Sequence, residues 1–214
     1  MDERGRLAAS PGVVAAGVGA HNPGMGKILL SISISLDGFI EGPNREIDWH
    51  LVDDELHRHF NRRLGALAGF LTGRVTHELM AGAWPDIDDD PAAPEAMREF
   101  ARIWLDMPKF VFSRTLPPDH PSLRWNSELI RDVTASEIEN LRARVDGDLS
   151  LGGPDLAASF LRLGLVDEFD IYVHPILIGG GKPLFPLDGA HVPMRLLETR
   201  TFGNGVVVLR YARG

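Results

Sequence analysis

Three segments of this chain join a run of apolar, strand-like residues to groups that bind phosphate. They are Phe70-Leu71-Thr72-Gly73-Arg74-Val75-Thr76, Phe110-Val111-Phe112-Ser113-Arg114-Thr115 and Leu149-Ser150-Leu151-Gly152-Gly153-Pro154-Asp155-Leu156. Arginine offers an always-charged, bidentate grip on phosphate. A helix N-terminus offers free backbone N–H groups. In open α/β sheets, ligands bind outside the carboxyl ends of the strands. One such segment is weak evidence; three in one chain point to a phosphorylated nucleotide laid across a sheet edge. The Gly152-Gly153 pair reads as a tight strand-to-helix turn where missing side chains admit a pyrophosphate to backbone amides. A close turn with no ligand fits the same residues. Arg74 and Arg114 would hold a 2′-phosphate or its neighbours and select NADPH over NADH, the plain alternative being surface arginines. Thr76 serves as a helix cap, a phosphate partner or both. Ser113 bonds ribose or phosphate, or satisfies a strand end.

Two acids and one aromatic residue are candidates for the reacting end. Asp37, at the end of the first strand, would bond the amino-imino edge of a pterin or pyrimidine, or help deliver a proton; Asp before Gly is also a common turn. Asp54 is a second candidate acid, or merely a favourable charge in a helix's first turn. Trp49 would stack on a flat heterocycle or pack in the core. Gly179-Gly180-Gly181-Lys182 lacks the spacing of a P-loop, and Pro183 stands where Ser or Thr is needed, so it reads as an irregular turn. His50, His57 and His59 hint at metal. Residues two apart on a helix diverge, so surface histidines and no metal site are expected.

The elements that must position these groups alternate. Lys27 to Leu36 reads as a strand, with Ile28, Leu30, Ile32, Ile34 and Leu36 separated by small or polar residues. Asp53-Asp54-Glu55 opens a helix whose apolar face is Leu56, Phe60, Leu64 and Leu67. Strands are expected at 69–72, 108–113, 148–151 and 169–178. Helices are expected from near Thr76, over 95–105 with Phe100 and Trp104 paired, from the capping box Thr134-Ala135-Ser136-Glu137 to Val145, and from Pro154 to about Gly164. Trp84 to Pro94 reads as a loop. Residues 195–202 and 206–212 form a hairpin around Gly203-Asn204-Gly205. The pattern is an α/β domain with a mostly parallel sheet and an antiparallel C-terminal edge.

The bulk numbers narrow the partners. The 214-residue chain carries a net charge of −8, which argues against nucleic acid and leaves a small-molecule partner. With 0 cysteines, disulfides and thiolate zinc sites are excluded. No apolar run is long enough to span a bilayer, so no membrane partner is expected. Residues 1–24 differ in composition from the domain at 25–214. Pro11, Gly12, Gly17 and Gly19 dilute the apolar core that a secretory signal needs, so a disordered leader and a cytoplasmic protein are expected. Met25 is a plausible alternative start.

With these residues assembled, the chain resembles the dihydrofolate reductase superfamily, and within it the stand-alone proteins related to the reductase domain of the riboflavin-biosynthesis deaminase/reductase. The resemblance runs from about Lys27 to Tyr211. It rests on Ser35-Leu36-Asp37-Gly38, Gly73-Arg74-Val75-Thr76-His77-Glu78, Ser113-Arg114-Thr115-Leu116, Gly152-Gly153-Pro154-Asp155-Leu156 and Tyr172-Val173-His174-Pro175-Ile176-Leu177-Ile178-Gly179-Gly180-Gly181. It implies a dihydrofolate-reductase-like three-layer α/β/α domain that binds NADPH and passes hydride to a flat nitrogen heterocycle or linked sugar carbonyl. It places the cofactor on Gly73, Arg74, Thr76, Ser113, Arg114, Gly152, Gly153, Asp155 and Leu156, with the nicotinamide near Ile34. Asp37 and Trp49 would line the reacting end, and Asp54 falls where dihydrofolate reductases carry their pocket acid. Two departures stand out: Ser31 occupies the place of the riboflavin reductase's usual lysine, and Gly73-Arg74-Val75-Thr76-His77-Glu78 is closer to dihydrofolate reductase. Relatives of this kind are often dimers, so a homodimer is an expectation. The rival reading is a non-catalytic NADP(H)-binding module or sensor on the same fold.

Overall fold

The computed structural model describes residues 25–185 and 191–214, so the expectations for residues 1–24 lie outside it. The described chain runs β1 (Ile28–Ser35), β2 (Phe39–Glu41), α1 (Asp54–Leu64), β3 (Gly69–Gly73), α2 (Arg74–Asp89), α3 (Glu95–Asp106), β4 (Lys109–Phe112) and β5 (Ser127–Ile130). It continues with α4 (Ala135–Arg144), β6 (Leu149–Gly152), α5 (Pro154–Arg162), β7 (Glu168–His174), β8 (Lys182–Pro183), β9 (Met194–Thr201) and β10 (Val207–Arg213).

Eight strands form one sheet in the order β5-β4-β3-β6-β1-β7-β10-β9. From β5 to β7 the strands are parallel, while β10 runs antiparallel to β7 and β9 antiparallel to β10. The carboxyl ends of β3, β4, β6, β1 and β7 therefore lie along one edge. Side chains alternate between the two faces of a strand, and the core divides accordingly. Ile28, Leu30, Leu71, Leu149, Leu151 and Ile171 pack with Ile138 and Leu141 of α4 and with Leu156 and Phe160 of α5. On the opposite face, Tyr172 meets Leu56 and Phe60 of α1, and Phe70 meets Phe100 and Trp104 of α3. This is the expected three-layer domain with a mostly parallel sheet and an antiparallel edge.

Several boundaries differ from the sequence expectation. The stretch from Trp84 to Asp89 is helical although Pro85 lies inside α2. Trp84 packs edge-on against Phe100 at 4.5 Å and its Nε1 donates to the Met80 sulfur at 3.0 Å. That packing overrides the local preference for a loop. Strand β7 stops at His174, because Pro175 has no N–H to continue the ladder. Leu67 falls beyond the Gly65 C-cap of α1. Strand β5 and the two-stranded β2–β8 ribbon are too short to carry a periodic signal.

Candidate functional site

Helices α2 and α5 begin at the ends of neighbouring strands, on Gly73 and Gly153, and neither N-cap supplies a side-chain hydrogen bond. By contrast, Asp53 caps α1 and Thr134 caps α4 through side-chain oxygens. The first-turn N–H groups of α2 and α5 are thus left for another acceptor, with the positive ends of both helix dipoles at the same edge. Gly153 has φ 87°, a left-handed conformation that favours glycine. A β-carbon there would overlap the Thr76 hydroxyl, and one on Gly73 would sit 3.8 Å from the Leu156 β-carbon. The turns after β3 and β6 therefore share one surface, bringing Gly73, Thr76, Gly153 and Leu156 together.

The cations flank this surface. Arg74 is the first residue of α2, pairs with Glu78 at 2.8 Å and is exposed. Arg114 follows β4, pairs with Asp132 at 2.9 Å and has a side chain 79% exposed. Both pairs lie in water, where such contacts are weak and readily exchanged. The α2 helix starts at Arg74, so Thr76 lies inside its first turn rather than capping it. Ser113 is buried, and its hydroxyl accepts from the N–H groups of Thr115 and Leu116 at 3.2 and 3.0 Å, closing the turn after β4. The Leu156 side chain is part of the core. Asp155 forms an ion pair with Lys182, tying the β2–β8 ribbon to the first turn of α5.

A second group assembles where β1 and β7 end side by side, with Ser35 opposite His174 and Ile34 opposite Val173. Asp37 follows β1. Its carboxylate accepts from Gly179 N–H at 2.8 Å and from Ile178 N–H at 3.3 Å. The Ser35 hydroxyl beside it, followed by those two N–H groups, holds the carboxyl below its ordinary range. His174 is fully buried, and its Nδ1 accepts from Leu51 N–H at 3.0 Å. The His174 ring stacks on His50 at 5.1 Å and 19°, and Trp49 packs edge-on against both at 4.3 and 5.7 Å. Burial, reinforced by His50, pushes His174 down to about 4. Nε2 of both histidines is buried with no hydrogen-bond partner among the described residues.

On the face shared with His174, β1 presents Ser31, Ser33 and Ser35, and β6 presents Ser150 and Gly152. Residues 31–34 are only partly buried although β1 is a central strand. The sheet is therefore floored with small polar groups near its carboxyl edge.

The structure thus brings Asp37 and Trp49 to one end and Gly73, Thr76, Gly152 and Gly153 to the other. Asp54 stands apart: it is exposed and its carboxylate bonds Arg58 at 2.7 Å, four residues along α1. The expectation of surface histidines fails for His59, which is buried with Nε2 3.0 Å from the Tyr172 hydroxyl, while His50 and His57 are half-buried. Sequence spacing carries no sign of the His50–His174 pair, whose members lie far apart in the chain and meet where the segment before α1 packs on the end of β7. An apolar cavity of about 350 Å³ between the end of α5 and the β7–β10 face, lined by Leu161, Val166, Phe169, Ile171 and Tyr211, contains none of these groups.

Residues 26–208 match the RibD C-terminal domain. The chain belongs to that family. The match spans β1 through the start of β10 and so includes both ends of the site. The uncharacterized protein YyaP of Bacillus subtilis (strain 168) is 34% identical over 186 residues, which is 86% of this chain and 94% of YyaP. The riboflavin biosynthesis protein RibD of Mycobacterium tuberculosis (strain ATCC 25618 / H37Rv) is 31% identical over 109 residues, 50% of this chain and 32% of that protein. The chain therefore aligns with about a third of that longer relative. A solved diaminohydroxyphosphoribosylaminopyrimidine deaminase/5-amino-6-(5-phosphoribosylamino)uracil reductase from Thermotoga maritima superposes with a TM-score of 0.61 at 17% identity, covering 89% of this chain and 57% of that one. At that identity the likeness concerns the fold alone. Among the described residues, no helix of this RibD C-terminal family member is long and apolar enough to cross a membrane.

Proposed function

We propose that this member of the RibD C-terminal domain family is an NADPH-dependent oxidoreductase that passes hydride to a flat nitrogen heterocycle of the pteridine or pyrimidine type. The observation that carries the reading is the pair of uncapped, glycine-opened helices, α2 and α5, meeting where Gly153 lies against Thr76. Such N-termini take phosphate oxygens on backbone N–H groups. Glycine at 153 lets the Thr76 hydroxyl of α2 lie directly against the turn that opens α5, so backbone N–H groups and a hydroxyl meet on one surface, and the residues present fit a dinucleotide pyrophosphate. Bound NADPH would supply the hydride.

The chain's own residues then have distinct tasks. The α5 first turn, with Gly152 and Gly153, holds the pyrophosphate. Arg74 and Arg114 exchange their exposed carboxylate partners for further phosphate oxygens, which favours NADPH over NADH. The small hydroxyl floor of β1 and β6 leaves room for a flat ring. Asp37, held ionised by its neighbours, is an acceptor. This supports a role in bonding an N–H edge of the heterocycle over a role as proton donor. Trp49 would cover the ring. The partner implied is a small molecule, with no nucleic acid or membrane required, and the setting is the cytoplasm.

The test begins with binding: NADPH should quench tryptophan fluorescence and raise the melting temperature, and NADH should do so more weakly. Loss of reduced-nicotinamide absorbance is then followed over a panel of pterins and pyrimidines. No response to NADPH would sink the reading. Binding without turnover on every compound would favour the non-catalytic module.

A further inference from the structure

The edge where β1 and β7 end is bordered by exposed apolar side chains. Leu36 N–H donates to Ile176 O at 2.8 Å, which sets Leu36 beside the 175–179 turn that Asp37 also grips. Leu51 joins the same edge through its hydrogen bond to His174. Leu36, Leu51 and Leu177 are 63%, 45% and 69% exposed, and Ile47 and Val52 beside them are also exposed. Exposed apolar side chains at the rim of a site offer a ligand contact area and no charge.

The charge around this rim is negative. Between residues 41 and 55 the chain carries Glu41, Glu46, Asp48, Asp53, Asp54 and Glu55 against one cation, Arg45. Asp54 and Glu55 are paired with Arg58 and Arg200, whereas the other four acids make no ion pair among the described residues. No Lys or Arg occurs from Ile28 to Asp37 or from Ile171 to Gly181. Lys182, the next cation, is engaged by Asp155. The two histidines under Trp49 are neutral at pH 7, because burial lowers both. A phosphate here would meet leucines and an excess of carboxylates, with Arg45 the one cation of the 41–55 segment set against them.

We propose that the heterocycle this chain reduces carries no phosphate and enters with an uncharged flank toward the rim of Leu36, Leu51 and Leu177. The proposal rests on the reductase reading above and names the substrate class of that same site. The phosphate-binding capacity of the sheet edge is confined to the α2–α5 end. The reacting end selects against a second phosphorylated group by charge repulsion, since Arg45 is the single cation of a rim segment that carries six acids.

The experiment is a calorimetric titration of the full chain, with and without NADPH, using 5-amino-6-(ribosylamino)uracil and its 5′-phosphate, which differ only in the phosphate. The expected result is that the unphosphorylated compound binds at least about tenfold tighter at low salt, with the gap narrowing as salt screens the rim. Equal affinity, tighter binding of the phosphate, or no binding of either compound overturns the proposal. Leu177→Arg should narrow the gap, and an unchanged gap also overturns it. Leu36→Arg gives a second, independent reading should the first variant fold poorly. NADPH affinity, measured alone, separates failure of this proposal from failure of the reductase reading.

Discussion

The Thr76 hydroxyl fills the place where a side chain on Gly153 would begin. Two helices that start on different strands thus meet over a single backbone surface, and the glycine is required twice. Its φ of 87° is unfavourable for other residues, and its missing β-carbon makes room for Thr76. Gly153→Ala is expected to weaken NADPH at least about tenfold while costing about 1–3 kcal/mol of stability, the usual range for a strained left-handed alanine. Thr76→Ala should relieve the overlap in the double variant and recover part of the stability. Fluorescence titration and thermal melts read both; wild-type NADPH affinity in Gly153→Ala would remove the pyrophosphate from this turn.

Arg74 and Arg114 test the phosphate end differently. Their partners, Glu78 and Asp132, are surface groups, so Arg74→Ala and Arg114→Ala should leave stability within about 0.5 kcal/mol. NADPH affinity should fall about tenfold for each, NADH affinity should barely change, and the salt dependence of NADPH binding should become shallower. Equal losses for both nucleotides would mean that the arginines do not read the 2′-phosphate.

The positions of these groups show what a sequence makes legible. Gly73, Gly152 and Gly153 were readable because a strand ending in glycine before a helix leaves a local mark, and the Ser/Ile alternation of β1 announced a two-faced strand. Trp84 to Asp89 was not readable, since Pro85 and three aspartates argue locally for a loop while the contact of Trp84 with Phe100 decides for helix. The burial of His59 is not legible either, because spacing says which residues share a helix face but not which face the sheet will cover. His50 and His174 leave no local mark at all: they touch where the segment leading into α1, held by the Leu51 N–H, lies against the end of β7.

That pair makes acid stability a direct readout. The His174 folded value of about 4 lies below its ordinary 6.5, so the unfolded chain binds more protons between those pH values. Stability from this residue is therefore complete above pH 6.5 and is lost as pH falls toward 4, a change on the order of 3 kcal/mol. His174→Asn keeps an acceptor near Leu51 N–H and removes the titration. Its denaturation midpoint should fall less steeply than that of the wild type over this window. Parallel acid limbs for the two proteins would show that His174 is not the group being charged.

Lys109 is buried at the start of β4, and its Nζ donates to Trp125, Met107 and Leu105 carbonyls at 2.5, 2.8 and 3.1 Å while lying 4.5 Å from the centre of the Trp104 ring. It fastens the end of α3 to the turn before β5, so it holds the β4 strand that delivers Ser113 and Arg114. Lys109→Ala removes the donors and opens a cavity beneath Trp104, at an expected cost of about 2–4 kcal/mol. Lys109→Met keeps the stem in place and should cost less than the alanine variant. Burial pushes Lys109 down to about 8 from 10.5, so the unfolded chain binds the extra proton between those values. The wild-type advantage over Lys109→Met should consequently grow as pH rises through that window. Urea melts of the three proteins across the window check both statements, and an alanine variant as stable as the wild type would show that the three carbonyls do not depend on this lysine.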